Sequence, residues 1–527
     1  YDIVIAHAPG SGADAFDLNL TDVVPAEVIY QAGTLAHVGG VAPASLNITG
    51  TTITASYTGL NIGQTSTLRF QARVRDDVNA LQTVTNTASV AYTTLPGSGA
   101  PSLSPYNALA VERTGNPNDP GGLANNLIVS GSATFTPPAG ISKVVLGTSL
   151  PATPDPNVTI GERVRYRITM ALPEGDTPNA VMSDVFSPGL ALLSIDSVTP
   201  SSQVTTNVPG GFAAIAANPT VGPGGTTFSL NFGTLTNAAR DGSLQTVTIE
   251  LTGVVLNDAS NQLAEVKSNT ATLTTTFGQQ SVTSPTVTIV GPLLTLSKTV
   301  VPNSGDPNTG SNLFTLTLAH NSSISQAPAY DLVLTDILPP EFQYVSGSLT
   351  AAAGVSPTTL TAVGNAITAT FANFPLGSTS TITFAAVLTG SVPPGGTATN
   401  TAELTYTTLP GNVTTPQSPY NPVSTERTGN MNDPGGFLNQ LRTTASANVS
   451  ANTNSLSGFV YVDANNNGVF DSGETPLQGV EVRLTGTDAL GSVSLTATTN
   501  ASGAYQFTSL RAGTYTLTET QPSGYLS

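Results

Sequence analysis

The chain repeats itself over a distance of 314 residues, and no other feature constrains its fold as much. The segment NTASVAYTTLPG at 86–97 returns as NTAELTYTTLPG at 400–411, and SPYNALAVERTGNPNDPGGLANNL at 104–127 returns as SPYNPVSTERTGNMNDPGGFLNQL at 418–441. DLNLTD at 17–22 and DLVLTD at 331–336 share the same displacement. Between these copies lies a more distant one, opening GISKVVLG near 140 where the later copy has LTLSKTVV at 293–300, and ending SNTATLTT at 268–275. The period is therefore half of 314. A unit of that length is a whole domain rather than one turn of a solenoid, whose periods run about 20–50 residues. The expected units are 1–139, 140–291 and 292–453, followed by an unrelated segment at 454–527.

Within each unit, runs of four to eight residues rich in Val, Thr, Leu and Ile alternate with Gly, Pro, Asn and Ser clusters, the pattern of an antiparallel β-sandwich. Fifty-one glycines, 38 prolines and only 9% charged residues agree with turn-rich β-structure, and almost no helix is expected. The fold class is all-β: a linear array of sandwiches ending in a smaller one. Tyr1 falls in mid-strand, so the first unit is expected to lack its first strand, and the last unit is expected to be incomplete at Ser527.

A formal charge of −17 supplies no basic patch for nucleic acid or anionic membrane. With no cysteine there is no disulfide, thiol nucleophile or thiolate zinc site. No apolar run approaches the roughly 18–20 residues of a membrane span. His7, His37 and His320 stand without a paired metal motif or a triad partner, and neither a G-x-S-x-G elbow nor a phosphate loop occurs. They are expected to be core or surface groups, and the chain is not expected to be an enzyme.

Strand alternation shows which polar residues face inward. In 294–300, Leu294, Leu296, Lys298 and Val300 share one face, and Ile141, Lys143 and Val145 repeat it in the middle unit. Asp336 ends the row Leu332, Leu334; Asp22 ends Leu18, Leu20; Asp184 ends Ala180, Met182. Asn400 aligns with Ala402, Leu404 and Tyr406, Asn269 with Ala271 and Leu273, and Asn86 with Ala88, Val90 and Tyr92. The two later units thus each bring Lys, Asp and Asn to an apolar interior. Desolvation lowers an amine pKa and raises a carboxyl pKa, so a neutral lysine can attack the asparagine carboxamide while the aspartic acid polarises its carbonyl and relays protons. Ammonia leaves and a Lys–Asn isopeptide bond remains. The alternative is a buried Lys–Asp salt bridge with the asparagine bonded to backbone. Lys267, two residues before Asn269, is a rival amine read as a strand-edge charge.

In the last segment, DANNNGVFDSGE at 463–474 places oxygens at loop positions 1, 3, 5, 9 and 12 from Asp463, Asn465, Asn467, Asp471 and Glu474, with the Val469 carbonyl at 7 and Gly468 at 6. That spacing wraps Ca2+ in one turn, between strands rather than helices; an Asx-rich turn needing no ion is the alternative. The ERTGNPNDPGG and ERTGNMNDPGG loops carry Asp119 with Asn116 and Asn118, and Asp433 with Asn432. These residues suit a metal or a set of Asx turns, or the loops pack on the next domain and stiffen the junction.

The three units resemble the immunoglobulin-like repeats of bacterial surface proteins, related to the intramolecular isopeptide domains of pilins and adhesins. The resemblance implies Lys143 and Lys298 as nucleophiles, Asp184 and Asp336 as promoting acids, and Asn269 and Asn400 as acceptors. Asp22 and Asn86 form an incomplete site, its lysine due from an upstream segment or a neighbouring subunit. Residues 454–527 resemble the B-type domains of serine-aspartate repeat adhesins and the related collagen-adhesin B-type fold. Some relatives there join a first-strand lysine to a glutamate where Glu519 stands, but 454–527 holds no lysine, so calcium is the expected stabiliser. The function implied is a structural segment of an extracellular, cell-surface stalk or fibre whose partners are further copies or domains of the same protein. Two rivals remain: an adhesin binding a host protein or glycan through exposed loops, and a spacer for a surface hydrolase.

Overall fold

β-Branched and threonine-rich runs punctuated by glycine turns leave the chain little alternative to sheets. A computed structural model describes all residues except 76, 98–101, 109–110, 120–124, 412, 414, 434, 436–437 and 526–527, and it is nearly all strand. The described residues contain one short α-helix, Gly211–Ala217, in an alanine-rich excursion of the middle unit, and a 3-10 turn at Pro223–Gly225.

The third unit shows the architecture in full. One sheet runs in the order Leu294–Val301, Asn312–His320, Thr379–Leu388, Phe342–Tyr344; the facing sheet runs Ser304–Gly305, Arg442–Ala451, Thr397–Thr407, Ala329–Ile337, Ala366–Phe374, Thr359–Val363. The lysine strand is thus an edge of one sheet, and the aspartate strand lies inside the other beside the asparagine strand. The middle unit repeats this with Gly140–Thr148 at the edge of one sheet and Gly175–Phe186 beside Asn269–Thr275 in the other. In the first unit the facing sheet holds five strands, Ile128–Phe135, Val84–Thr93, Ala15–Val23, Thr52–Leu60, Ser45–Thr49, and the opposite sheet, among the described residues, holds Asp2–Ala6, Thr65–Arg69 and Ala36–Gly40. Asp2–Ala6 corresponds to the second strand of the other units and forms the sheet edge.

Each sandwich encloses its own apolar cluster. Phe314, Phe342, Phe371, Phe374 and Phe384 fill the third, and Tyr166, Phe186, Phe228 and Phe232 the middle one. Fully burying such a side chain stabilises by roughly 1.5–3 kcal/mol. Ala80, from the first unit, is wholly buried within the middle cluster, which joins those two units through apolar contact. Residues 454–510 build a smaller core around Val460, Val480, Val482, Leu484, Phe507 and Leu510.

Candidate cross-linking sites, calcium loop and junction

The lysine of the third unit is delivered by register. Leu294–Val301 pairs antiparallel with Asn312–His320, setting Lys298 opposite Leu316. Below it Phe314 and Phe384 stack at 5.2 Å, and the ammonium lies 5.2 Å from the first ring and 5.9 Å from the second. Lys298 Nζ donates to Asp336 Oδ2 at 2.6 Å, with both side chains wholly removed from solvent. Asp336 stands opposite Ala402, two residues beyond Asn400 on the neighbouring strand. In the middle unit Lys143 Nζ donates to Asp184 Oδ2 above Tyr166 and Phe186, and Asp184 stands opposite Ala271, two residues beyond Asn269.

Burial pushes both lysines down to about 8, against the pull of their aspartate partners. At neutral pH roughly one amine in ten is then uncharged and nucleophilic. Burial likewise raises the Asp184 carboxyl, which favours the protonated form that can donate. The carboxamide nitrogen and oxygen of Asn269, and those of Asn400, are buried without a hydrogen-bond partner. The salt-bridge alternative assigned those amides to backbone groups, and neither makes such a bond. Each orphaned polar atom costs about 1–3 kcal/mol, so each site holds an unsatisfied carboxamide on the strand next to the aspartate that the desolvated amine meets.

Two other lysine and histidine readings have different outcomes. Lys267 lies on Val266–Lys267, the edge strand of its sheet, and is buried there, its Nζ donating to the Ser260 carbonyl at 2.6 Å. His320 is a core residue, stacked on Phe374 and donating from Nε2 to the Phe374 carbonyl at 3.1 Å. His7 does the same toward the Leu60 carbonyl at 2.9 Å.

In the 463–474 loop the carboxylates are turned to loop N–H groups. Asp463 accepts from Gly468 N at 2.7 Å and Asn467 N at 3.1 Å, and Glu474 accepts from Ala464 N and Asp471 N. Asp471 Oδ2 accepts from the amides of Asn465 at 2.9 Å and Asn467 at 2.6 Å. These bonds hold Asp463 and Asp471 below the usual carboxylate range, so both are anionic. Gly468 and Asn466 adopt positive φ, which curls the loop. Among the described residues no three His, Asp or Glu side chains converge as a metal cluster. The donor set is nonetheless rich in hard oxygens, which fits a cation replacing the N–H donors. Phe470 stacks on Tyr461 at 4.7 Å and ties the loop to the module.

The ERTGN loops are built as turns. Asp119 accepts from Thr114 Oγ1 and Asn116 Nδ2, and Asp433 from Thr428 Oγ1 and Asn430 Nδ2, each at 2.7 Å. Those donors engage both oxygens of each aspartate in Asx-type turns; residues 120–124, 434 and 436–437 lie outside the described set. The third-unit loop packs on the preceding unit. Arg427 donates to Asn257 Oδ1 at 2.9 Å and to the Asn261 and Asp258 carbonyls at 3.1 Å. Ser418 Oγ donates to the Leu192 carbonyl at 2.8 Å, and Tyr420 lies on the middle core. Beside Arg427, Glu426 is fully buried, accepting from Leu409 N and Val413 N, and burial pushes its carboxyl up to about 7. An analogous arginine, Arg511 of the last module, donates to the Val392 carbonyl of the third unit at 2.6 Å. Sequence reasoning named these loops but not Glu426, Asn257 or Arg511; the repeated Glu-Arg pair was the available signal.

Residues 454–527 match the family model described as SdrD B-like domain. The serine-aspartate repeat-containing protein F of Staphylococcus epidermidis is 42% identical over 73 residues, 14% of this chain and 4% of that protein. The aligned stretch is therefore a small fraction of the curated relative's own length. Among solved structures, the C-terminal domain of the Streptococcus agalactiae antigen I/II polypeptide BspA covers 59% of this chain and 100% of its own, at 9% identity and a TM-score of 0.31. The major pilin subunit BcpA of Bacillus cereus covers 74% of this chain and 90% of its own, at 13% identity and a TM-score of 0.27.

Proposed function

We propose that this chain is a tension-bearing segment of an extracellular stalk or fibre, with its second and third sandwiches closed by Lys143–Asn269 and Lys298–Asn400 isopeptide bonds. One observation carries the reading: twice over, a desolvated lysine meets an aspartate in an apolar interior, beside a strand bearing a buried carboxamide without a partner. The lysine's amine nitrogen attacks the carboxamide carbon, the aspartic acid hydrogen-bonds the carbonyl and passes protons, and ammonia leaves. Because the bond joins the first strand to a late strand, pulling force crosses it and bypasses the chain between. The Arg427 and Arg511 contacts limit bending at the two later junctions. The similarity of the last module to serine-aspartate repeat proteins supports a cell-surface location, with further domains or copies of the same protein as neighbours.

Stretching the chain from its two ends tests this. The loops from 143 to 269 and from 298 to 400 are expected to stay locked, withholding about 45 and 37 nm at ~3.6 Å per residue. Full extension of either loop at forces that unfold ordinary sandwiches would refute the mechanical reading.

Calcium at the 463–474 loop is the second part of the proposal, held by Asp463, Asn465, Asn467, the Val469 carbonyl, Asp471 and Glu474. With an affinity on the order of 0.1–1 mM, 10 mM calcium would stabilise the module by about 1.4–2.7 kcal/mol. The last module's unfolding transition should shift upward with calcium relative to chelator, and Asp463→Ala should remove the shift. Coincident transitions in calcium and chelator would remove calcium from the account.

A further inference from the structure

Asn467–Gly468 is the one Asn–Gly step in the chain, and both residues are exposed in the 463–474 loop. An asparagine carboxamide can be attacked by the backbone nitrogen that follows it. Glycine in that place has no Cβ to crowd the approach, and Gly468 holds a φ of 77° that other residues rarely adopt. Three hydrogen bonds address the three atoms that such a reaction uses. The Gly468 N–H, on the nucleophile, donates to Asp463 Oδ2 at 2.7 Å. The Val469 N–H donates at 2.7 Å to Asn467 Oδ1, where negative charge gathers as the carbonyl is attacked. Asn467 Nδ2, the leaving nitrogen, donates to Asp471 Oδ2 at 2.6 Å, which fixes the orientation of the carboxamide.

The same turn occurs elsewhere without the following glycine. Asn116 and Asn430 accept from Asn118 N and Asn432 N at 3.0 Å, as Asn467 accepts from Val469 N. Asn116 is followed by Pro117, which has no N–H to give up, and Asn430 by Met431, whose side chain crowds the approach.

We propose that Asn467 is a self-modifying site, converted through a cyclic imide to aspartate and isoaspartate with Asp463 as the base. Gly468 N bonds to Asn467 Cγ, the Cγ–Nδ2 bond breaks, and the Gly468 proton passes by way of Asp463 to the departing nitrogen, which leaves as ammonia. Water then opens the imide at either carbonyl. The aspartate product sets a fourth carboxylate in a loop that already holds Asp463, Asp471 and Glu474. The isoaspartate product routes the backbone through Cβ and Cγ, which lengthens the turn by one carbon. Both products lose the amide donor to Asp471.

The test incubates the intact chain in chelator near neutral pH beside a synthetic peptide of residues 463–474, DANNNGVFDSGE. Tryptic mapping of residues 443–483 follows the gain of about 1 Da, ammonia lost and water added, and an isoaspartate assay follows the second product. Asn467 is expected to convert at least about tenfold faster in the chain than in the peptide, because only the folded loop holds the base on the nucleophile. Asn465 and Asn466, in the same tryptic fragment, should stay unmodified. Asp463→Asn, which keeps an oxygen for the Gly468 N–H but cannot take its proton, should bring the chain down to the peptide's rate. Asp471→Asn, which alters a loop bond but leaves the base, should keep the acceleration. Conversion in the chain no faster than in the peptide would overturn the self-modifying site. Equal rates in Asp463→Asn and the parent, or loss of the acceleration in both variants, would overturn Asp463 as its base.

Discussion

Intact mass spectrometry of the folded chain should give a value about 34 Da below that computed from the sequence, the loss of two ammonia molecules from two lysine–asparagine fusions. Lys298→Met, which keeps an unbranched side chain of similar length in the aromatic slot, should restore one ammonia, and Lys143→Met the other. The thermodynamic effect is large. Closing a loop of about 100 residues contributes roughly 4–5 kcal/mol in the chain-entropy account used for disulfides. Each single variant should therefore lower the unfolding transition of its own sandwich and leave the other in place, since each cluster is separate. A full, unreduced mass for the purified chain would refute the covalent mechanism, and the Lys–Asp pairs would stand as buried salt bridges. Such pairs are weak evidence of stability in themselves, because desolvation offsets most of their attraction.

The junction held by the third-unit loop should weaken as pH rises. Glu426 titrates at about 7 in the folded chain against its ordinary 4.5. The native state thus keeps a proton that the unfolded chain has already released, and ionisation favours opening. The stabilisation is complete below about pH 4.5, declines as pH rises, and is lost above about 7; the full difference is about 3 kcal/mol. Hydrogen exchange in residues 405–428 reads it directly, because the Leu409 and Val413 amides bond to this carboxyl. Between pH 5 and pH 8 their opening should increase beyond the intrinsic pH dependence of exchange. Glu426→Gln, which cannot ionise, should flatten the response. Equal pH dependence in the variant and the parent would assign the weakening to another group.

Mechanically, the cross-links and the junctions act at different levels. The proposed covalent bonds would make two sandwiches inextensible, whereas Arg427, Ser418 and Tyr420 hold one sandwich against the next. In the first unit the loop residue matching Tyr420 is Tyr106, which is 97% exposed.

Strand parity was enough to place Lys143, Lys298, Asp22, Asp184, Asp336, Asn86, Asn269 and Asn400 on inward faces, because a pleated strand alternates its side chains with a period of two. The structure buries all eight. The 314-residue displacement exposed the repeated loops for the same reason: repeats are a property of the linear text. Lys267 escaped that logic. It lies on a two-residue strand, Val266–Lys267, too short to show alternation, and only the fold of the 258–261 loop over it decides its burial.

What the amino-acid order determined alone is therefore local and periodic: all-β sandwiches, the inward polar residues and the oxygen-rich loop at 463–474. What needed three dimensions is every relation between segments far apart in the chain. The aromatic floor under each lysine, the partnerless carboxamides and the seating of Arg427 on the middle sandwich all depend on which sheets face each other. Pairing across more than a hundred residues is set by packing and register between sheets, and no short window of sequence encodes it.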